Sequence, residues 1–576
     1  MKKYQGVSAS RGICIGPVFQ FKRAALEFST YNITNLASEL QRLQKAVNIA
    51  QKQISQVYEK AQQESTSGEA EIFQAQLLML EDPEFWEQVH KDIESNKVNA
   101  ETALGRVSDA YADMLRSMDN EYFAARAADV KDVSNRILRI LLGVAESPTE
   151  NLKRPSIIVA DDLTPSDTVL LDKSMVLGFC TAQGSATSHS AILARGLGLP
   201  AVAGAGLEVL YLEDGKTAIL DGKNGALLFD PDTVTVDIYR QKMEVSRQIH
   251  ADAMKYCCEP ARTKDGKHVE VVANIGNVEG AKSAVNNGAE GVGLLRTEFL
   301  YLERQNLPDE EEQYQAYRLI MDVFGQKPVV LRTLDVGGDK ELPYLDLPKE
   351  MNPFLGQRAL RLCLARPSLF KPQLRAALRA GVGRNLKIMF PMVATAGEII
   401  AARKVLDECR AELKAESKAF AENIEIGIMV EIPAAAVMAD RLAPLVDFFS
   451  IGTNDLSQYT MAADRTNSLV ADLSSAFQPA VLRLIRDVIK ASHDHGKWTG
   501  MCGELAGEPL AAPILLGLGL DEFSASPPMI PIIKQILRNL DSEEMKMIAE
   551  EALNMDSPEE VMNLVRSLVP VANIDD

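Results

Sequence analysis

The sequence predicts a multidomain α/β protein: a compact α/β module carrying an inserted helical bundle, followed by a C-terminal (β/α)8 barrel. Three observations lead there. A helical stretch of more than a hundred residues interrupts β-rich material near the amino end. Short β-rich runs separated by Gly, Pro and Asp follow it. From Val269 onward, eight apolar strand candidates alternate with helical segments.

The helical stretch rests on periodicity. Leu36, Leu40, Leu43, Val47, Ala50, Ile54, Val57 and Ala61 recur at spacings of three and four, which places them on one face of a long amphipathic helix. Segments 69–80 and 100–142 are rich in Ala, Leu, Glu and Arg, so residues 35–145 read as a helical bundle. The runs SIIVADDL, MVLGFCTA, PAVAG and TAILDG mark the α/β module. The opening GVSASRGICIGPVFQF has no local strand partner and is expected to return to that module, which makes the bundle an insertion. The domains predicted are 1–34 with 146–230, the inserted bundle 35–145, a helical connector 231–260, and the barrel 261–576. The barrel strands are VEVVANIG, GVGLLRTEF, PVVLRTLDV, LKIMFPMV, IEIGIMVEI, VDFFSIGTN, WTGMCGEL and DEFSA.

Composition excludes several classes. Of 576 residues, 46% are hydrophobic and 24% charged, the ordinary range of folded water-soluble domains. A formal charge of −19 with no basic stripe argues against a nucleic-acid partner. An anionic small substrate stays compatible if local Arg and Lys overturn the global field in a cleft. The opening MKKYQGVSAS lacks the apolar stretch of a signal peptide and carries no lipidation motif, and the apolar run 510–520 is far short of the roughly 20 residues that cross a bilayer. No membrane span is expected. The seven cysteines (14, 180, 257, 258, 363, 409, 502) lack metal-ligand spacing or a disulfide framework, which suits a reducing cytoplasm.

In a (β/α)8 barrel the chemistry sits at the carboxyl ends of the strands, so polar residues there become candidates. Arg296 and Arg332 each follow an apolar run, Lys340 follows a glycine-rich turn, and Arg358 and Arg465 lie in later barrel loops. Guanidinium groups bind phosphate and carboxylate in a forked geometry, so these five cations, four of them arginines, suggest a trianionic ligand. Glu431 and Asp455 follow other strands; they suit a hard divalent ion such as Mg²⁺, or they cap the helices beyond their strands. Cys502 is either inert packing or a proton donor facing the cleft. In GSATSHSAILARG, Thr187 and Ser188 are placed to cap a helix beginning at His189. That position suits either a phosphate-accepting nucleophile at a helix amino end or a structural histidine.

Taken in order, ADDLTPSDT, TSHSAILAR, NGAEGVGLLRTEF, LRTLDVGGDKELPY, NPFLGQRA, DFFSIGTNDLSQYTMAADR and GKWTGMCGELAG give the chain, over nearly its full length, a resemblance to the enzyme I family of the phosphoenolpyruvate:sugar phosphotransferase system. The resemblance implies a swivelling phosphohistidine module in which His189 is phosphorylated, with Thr168 and Asp129 orienting it. It implies that Arg296, Arg332, Lys340, Arg358, Asn454 and Arg465 bind phosphoenolpyruvate, that Glu431 and Asp455 hold Mg²⁺, and that Cys502 is the acid. It further implies a helical subdomain that docks the histidine phosphocarrier HPr, a homodimer formed through the barrel, and residues 231–260 as the joint of the swivel. One stretch departs from the family pattern: Gly184, Ser185 and Ala186 stand where two glycines and an arginine are usual. The pyruvate phosphate dikinases and phosphoenolpyruvate synthases share the histidine module and barrel, but residues 1–150 are too short and too helical for their nucleotide-binding domain. The departures at Ser185 and Ala186 also admit a regulatory paralogue that binds a carrier with little turnover.

Overall fold

The fold is described from a computed structural model, which covers the chain apart from residues 22–25, 27, 64–72, 74, 75, 78, 81, 117–120, 145–151, 164–171, 185–189, 192, 193, 195–197, 302, 303, 305, 339–341, 343, 346, 348, 349, 466, 468 and 574–576. Two compact units divide it, Met1–Glu244 and Val245–Asp576.

In the first unit β1 (Lys2–Gln5), β2 (Val7–Ser10), β3 (Ile13–Gln20), β4 (Ser156–Ala160), β5 (Val176–Thr181), β6 (Ala201–Ala203), β7 (Thr217–Asp221) and β8 (Ala226–Phe229) form one sheet in the order β1-β8-β7-β3-β4-β5-β6-β2. Strands β3 to β6 run parallel, while β1, β2 and β7 attach antiparallel. The opening strands do return to this sheet, and β3 lies beside β4 although the helical segment separates them in sequence. Neither β1, with its paired lysines, nor β8 (ALLF) stood out as a strand in the sequence.

Among the described residues the interruption holds the helices α1 (Leu36–Gln63), α2 (Pro83–Asn96), α3 (Ala100–Arg116) and α4 (Glu121–Leu142). The Asp82 carboxylate starts α2 by accepting from the amides of Glu84 and Phe85, and Pro83 fits the first turn, where no amide donor is needed. The apolar face expected of α1 is buried at Leu43, Val47, Ala50 and Ile54, packed with Phe85, Val89, Leu104 and Ile137. A polar cluster locks the α1–α3 seam: Arg42 pairs with Glu39 at 2.7 Å and Glu101 at 2.6 Å, and Glu39 accepts from the Ala100 amide at 2.7 Å. The helix expected over 69–80 falls mostly outside the described residues. Beyond the sheet, α5 (Thr233–Lys255) buries only Ala253, so it carries little core of its own.

The second unit is a closed parallel barrel. Its strands are β10 (His268–Ile275), β11 (Val292–Leu295), β12 (Val329–Arg332), β13 (Leu386–Phe390), β14 (Glu425–Val430), β15 (Phe448–Ile451), β16 (Trp498–Met501) and β17 (Glu522–Ala525); β10 pairs with both β11 and β17 and closes the ring. A short β9 (Ala261–Arg262) pairs antiparallel with β10. All eight sequence candidates are barrel strands. Leu294, Val330, Met389, Met429, Phe448 and Cys502 fill the interior, while the opposite strand faces join the large core under the helices. Polar caps meet the free amides of two helices that start directly after their strands. The capping box of Thr395 and Glu398 after β13 is one case, and Asn277 after β10 another.

Candidate active site at the carboxyl ends of the barrel strands

Parallel strands in a barrel bring all their carboxyl ends to one rim. Arg332 is the last residue of β12, and Arg296, Glu431 and Cys502 each stand one residue beyond β11, β14 and β16. Asn454 and Asp455 occupy the first turn of the helix Thr453–Met461 that follows β15. Arg358 arrives from the long β12–β13 connection. There Gly337 has φ +102°, and a Cβ on it would lie 3.1 Å from the Arg358 Cα, so only glycine lets this loop close over the arginine.

The buried charges form an alternating chain. Arg332 pairs with Glu298 and, at 3.2 Å, with Asp335. Arg358 binds Asp335 through Nε at 2.9 Å and Nη2 at 3.2 Å, and it binds both Asp455 oxygens at 3.3 and 3.2 Å. Arg465 reaches Asp455 at 3.6 Å. Arg358 is 1% exposed, yet its charge is matched on both sides, it donates to the Tyr459 hydroxyl, and it lies 5.7 Å from the centre of the Phe354 ring. Arrays of this kind hold geometry more than they add net stability, since desolvation offsets most of the attraction.

Two groups are held away from their ordinary protonation. Burial, then the charges of Asp455 and Asp335, push Glu431 up to about 8 despite the pull of Arg332 and Arg358. Burial pushes the Cys502 thiol up to about 11, so it keeps its proton at neutral pH. Glu431 accepts from the Met392 amide at 2.6 Å, and Met392 (φ 56°) and Ala359 (φ 54°), beside Arg358, both adopt left-handed backbone without being glycine. Such residues cost about 1–3 kcal/mol each, and here two of them border the same rim. The buried Nε of Arg332 has no hydrogen-bond partner among the described residues, an orphaned donor that suits an oxyanion.

Family models match the chain in three stretches. They are PEP-utilising enzyme, N-terminal, over residues 5–126; PEP-utilising enzyme, mobile domain, over 152–225; and PEP-utilising enzyme, PEP-binding domain, over 250–542. Phosphoenolpyruvate-protein phosphotransferases from Priestia megaterium (47% identical over 566 residues) and Listeria monocytogenes (48% over 565) align over 98% of this chain and 99% of their own. That of Bacillus subtilis is 47% identical over the same shares. The chain belongs to the phosphoenolpyruvate-protein phosphotransferase family.

For a member of this family, the rim gathers Arg296, Arg332, Arg358, Asn454, Arg465, Glu431, Asp455 and Cys502 from five strands and two loops. Arg296 is exposed, and among the described residues its guanidinium has no ion pair. Asn454 is half-buried and accepts from the Glu504 amide at 3.0 Å. Asp129 is half-buried on α4. His189, with its proposed helix start, Thr168 and Lys340 lie outside the described residues. Sequence reasoning missed Glu298 and Asp335, the carboxylates that hold Arg332 and Arg358. The available signal was position: Glu298 stands two residues after Arg296, and Asp335 three after Arg332. Their presence changes the electrostatics. The sequence suggested a cationic cleft, whereas four arginines (296, 332, 358, 465) here face four carboxylates (298, 335, 431, 455). No group of three or more His, Cys, Asp or Glu side chains forms a metal cage among the described residues.

Proposed function

We propose that the chain is enzyme I of a sugar phosphotransferase system, a transferase that moves phosphate from phosphoenolpyruvate to His189 and then to a histidine of the carrier HPr. The observation that carries the donor half is the balanced rim. With Glu431 ionised, as cation binding would require, a trianion entering a cleft of four arginines and four carboxylates needs three further positive charges, and Lys340 with one divalent cation supplies them. Glu431 and Asp455 would hold that cation as Mg²⁺, which neutralises phosphoryl oxygens when bound and usually takes one or two carboxylates together with substrate oxygens. The raised proton affinity of Glu431 fits such a ligand, because a cation relieves the same crowding of negative charge that a proton does.

In this reading Arg296 and Arg465, the two more open guanidiniums, close on the phosphate and carboxylate. Arg332 and Arg358, fixed by Glu298, Asp335 and Asp455, set where these groups lie. His189 attacks phosphorus in line, the bridging P–O bond breaks, and its electron pair stays on the enolate oxygen of pyruvate. Cys502 then gives its proton to the methylene carbon, the enolate becomes the ketone, and the thiolate later regains a proton from solvent. Asn454 completes the substrate pocket, while Thr168 and Asp129 orient the imidazole. Residues 1–34 with 146–230 are the phosphohistidine domain, 35–145 the carrier-docking insertion, 231–260 the joint of the swivel, and 261–576 the barrel, through which two copies dimerise. Among the described residues no helix is long and apolar enough to cross a membrane, and we place the enzyme in the cytoplasm.

The test is incubation with phosphorus-labelled phosphoenolpyruvate and Mg²⁺, with and without HPr. The expected result is acid-labile, base-stable label on His189 that moves to HPr. Label that requires ATP would favour a dikinase, and label that HPr cannot discharge would favour a regulatory paralogue carrying the Ser185 and Ala186 departures.

A further inference from the structure

Ser450 is the third residue of β15. Alternation along this strand sends Phe448 into the barrel with Met429 and Cys502, and sends Phe449 and Ile451 to the outer core. Ser450 therefore shares the interior face with Phe448; it is 2% exposed, and its hydroxyl has no hydrogen-bond partner among the described residues. A buried hydroxyl left unpaired costs about 1–3 kcal/mol, and alanine would occupy the place without that cost. The register sets Ser450 opposite Gly500, two residues before Cys502, so no side chain on the facing position of β16 stands between them.

Cys502 explains the orphan. Its amide donates to the Ile451 carbonyl at 3.0 Å, and its thiol points to the same carbonyl at 3.8 Å. While the sulfur keeps its proton it is a weak acceptor, and the Ser450 hydroxyl makes only a weak contact with it, short of full hydrogen-bond geometry. Ser450 is nonetheless near enough to hold the thiol's proton affinity down against the larger effect of burial, which means that it favours the thiolate. An interaction weak before proton transfer and strong after it is the kind that speeds a step.

We infer that Ser450 is a positioning residue for the proton step: its hydroxyl donates a hydrogen bond to the Cys502 sulfur as that sulfur delivers its proton to the enolpyruvate carbon. The inference rests on the reading of Cys502 as the acid. In the step the S–H bond breaks, a C–H bond forms, the electron pair stays on sulfur, and the Ser450 O–H bond remains intact. Arg332 and Arg296 add positive charge near the same sulfur, and Glu431 opposes them.

The experiment uses the full chain with phosphoenolpyruvate, Mg²⁺ and HPr as the phosphate acceptor. Ser450→Ala should lower kcat by about ten- to a hundredfold, the worth of a hydrogen bond to a charged group. KM for phosphoenolpyruvate should stay within about twofold, because the contact is weak while the sulfur keeps its proton. The solvent deuterium isotope effect on kcat should grow, Ser450→Thr should restore rate, and the melting temperature should not fall. In a Cys502→Ala background, Ser450→Ala should change nothing further. If Cys502→Ala impairs pyruvate formation and Ser450→Ala still costs its full factor on top, the inference is overturned while the acid assignment stands. A KM that rises as kcat falls overturns it as well. If Cys502→Ala forms pyruvate at the normal rate, the acid assignment fails and takes this inference with it.

Discussion

Replacing Arg358 with methionine isolates what the buried charge chain contributes. The side chain is 1% exposed and makes four hydrogen bonds to Asp335 and Asp455 and a fifth to Tyr459. Methionine fills much of the volume but takes the forked partner from Asp335, which keeps its 3.2 Å pair with Arg332, and from Asp455, whose pair with Arg465 is a longer 3.6 Å. Removing one partner from a buried ion pair costs about 3–5 kcal/mol. At about 2.1 cal/mol/K per residue, residues 245–576 unfold with an entropy near 0.7 kcal/mol/K, so the barrel transition should fall by about 4–7 °C. The loss also removes a cation that restrains Glu431, whose proton affinity should rise further. Calorimetry of the full chain reads the first effect, and labelling by phosphoenolpyruvate, expected to be lost, reads the second. Arg358→Lys should rescue neither, since one ammonium cannot span two carboxylates in a forked geometry. If lysine restores both stability and labelling, the bridging role is wrong and a point charge suffices.

Three other outcomes are expected. His189→Ala should abolish labelling by phosphoenolpyruvate while leaving both units folded by circular dichroism; label at full stoichiometry would exclude His189 as the acceptor. Glu522, 3% exposed, is pushed up to about 8 by burial and by neighbouring Glu270. Its folded value lies above the unfolded carboxyl value, so its contribution is present below about pH 4.5 and is lost as pH rises through about 8. Glu522→Gln should therefore melt with the parent at pH 5 and above it at pH 9, and parallel melting curves across that window would count against the shift. Lys534 is fully buried and donates to the carbonyls of Cys257, Glu259 and Gly288 at 3.0, 3.2 and 2.7 Å while pairing with Glu290 at 3.0 Å. Lys534→Met should destabilise the barrel by about 3–5 kcal/mol in denaturant unfolding. KM for phosphoenolpyruvate should not change, because these carbonyls precede the amino ends of the strands, opposite the rim.

The barrel was legible because its strands are short apolar runs, and several of them end in or beside a polar residue, a pattern that marks both the strand and the rim. Arg332 closing VVLR and Glu431 closing IEIGIMVE were visible for that reason. The first sheet was harder to read. β1 pairs with β8 across more than two hundred residues, and neither KKYQ nor ALLF alternates in the manner of a half-buried strand. The rim's electrostatics were misjudged for a different reason. A sequence lists charges without their partners, so Arg332 and Arg358 read as open cations until Asp335 is found between them. Ser450 could not have been singled out, because an unpaired hydroxyl is a property of its surroundings and not of the string SIGTN.

The pairing of β1 with β8 also has a temporal side. A ribosome adding about 5–20 residues per second releases Lys2–Gln5 roughly 10–45 s before Ala226–Phe229 exists to pair with it. During that delay the bundle, which has its own buried cluster, can collapse alone, while β1 must remain solvated beside a growing chain. Lys2 and Lys3 suit that interval, since charged side chains on an unpaired strand oppose adhesion to other exposed strands. Lengthening the insertion would extend the delay without touching any contact of the finished sheet.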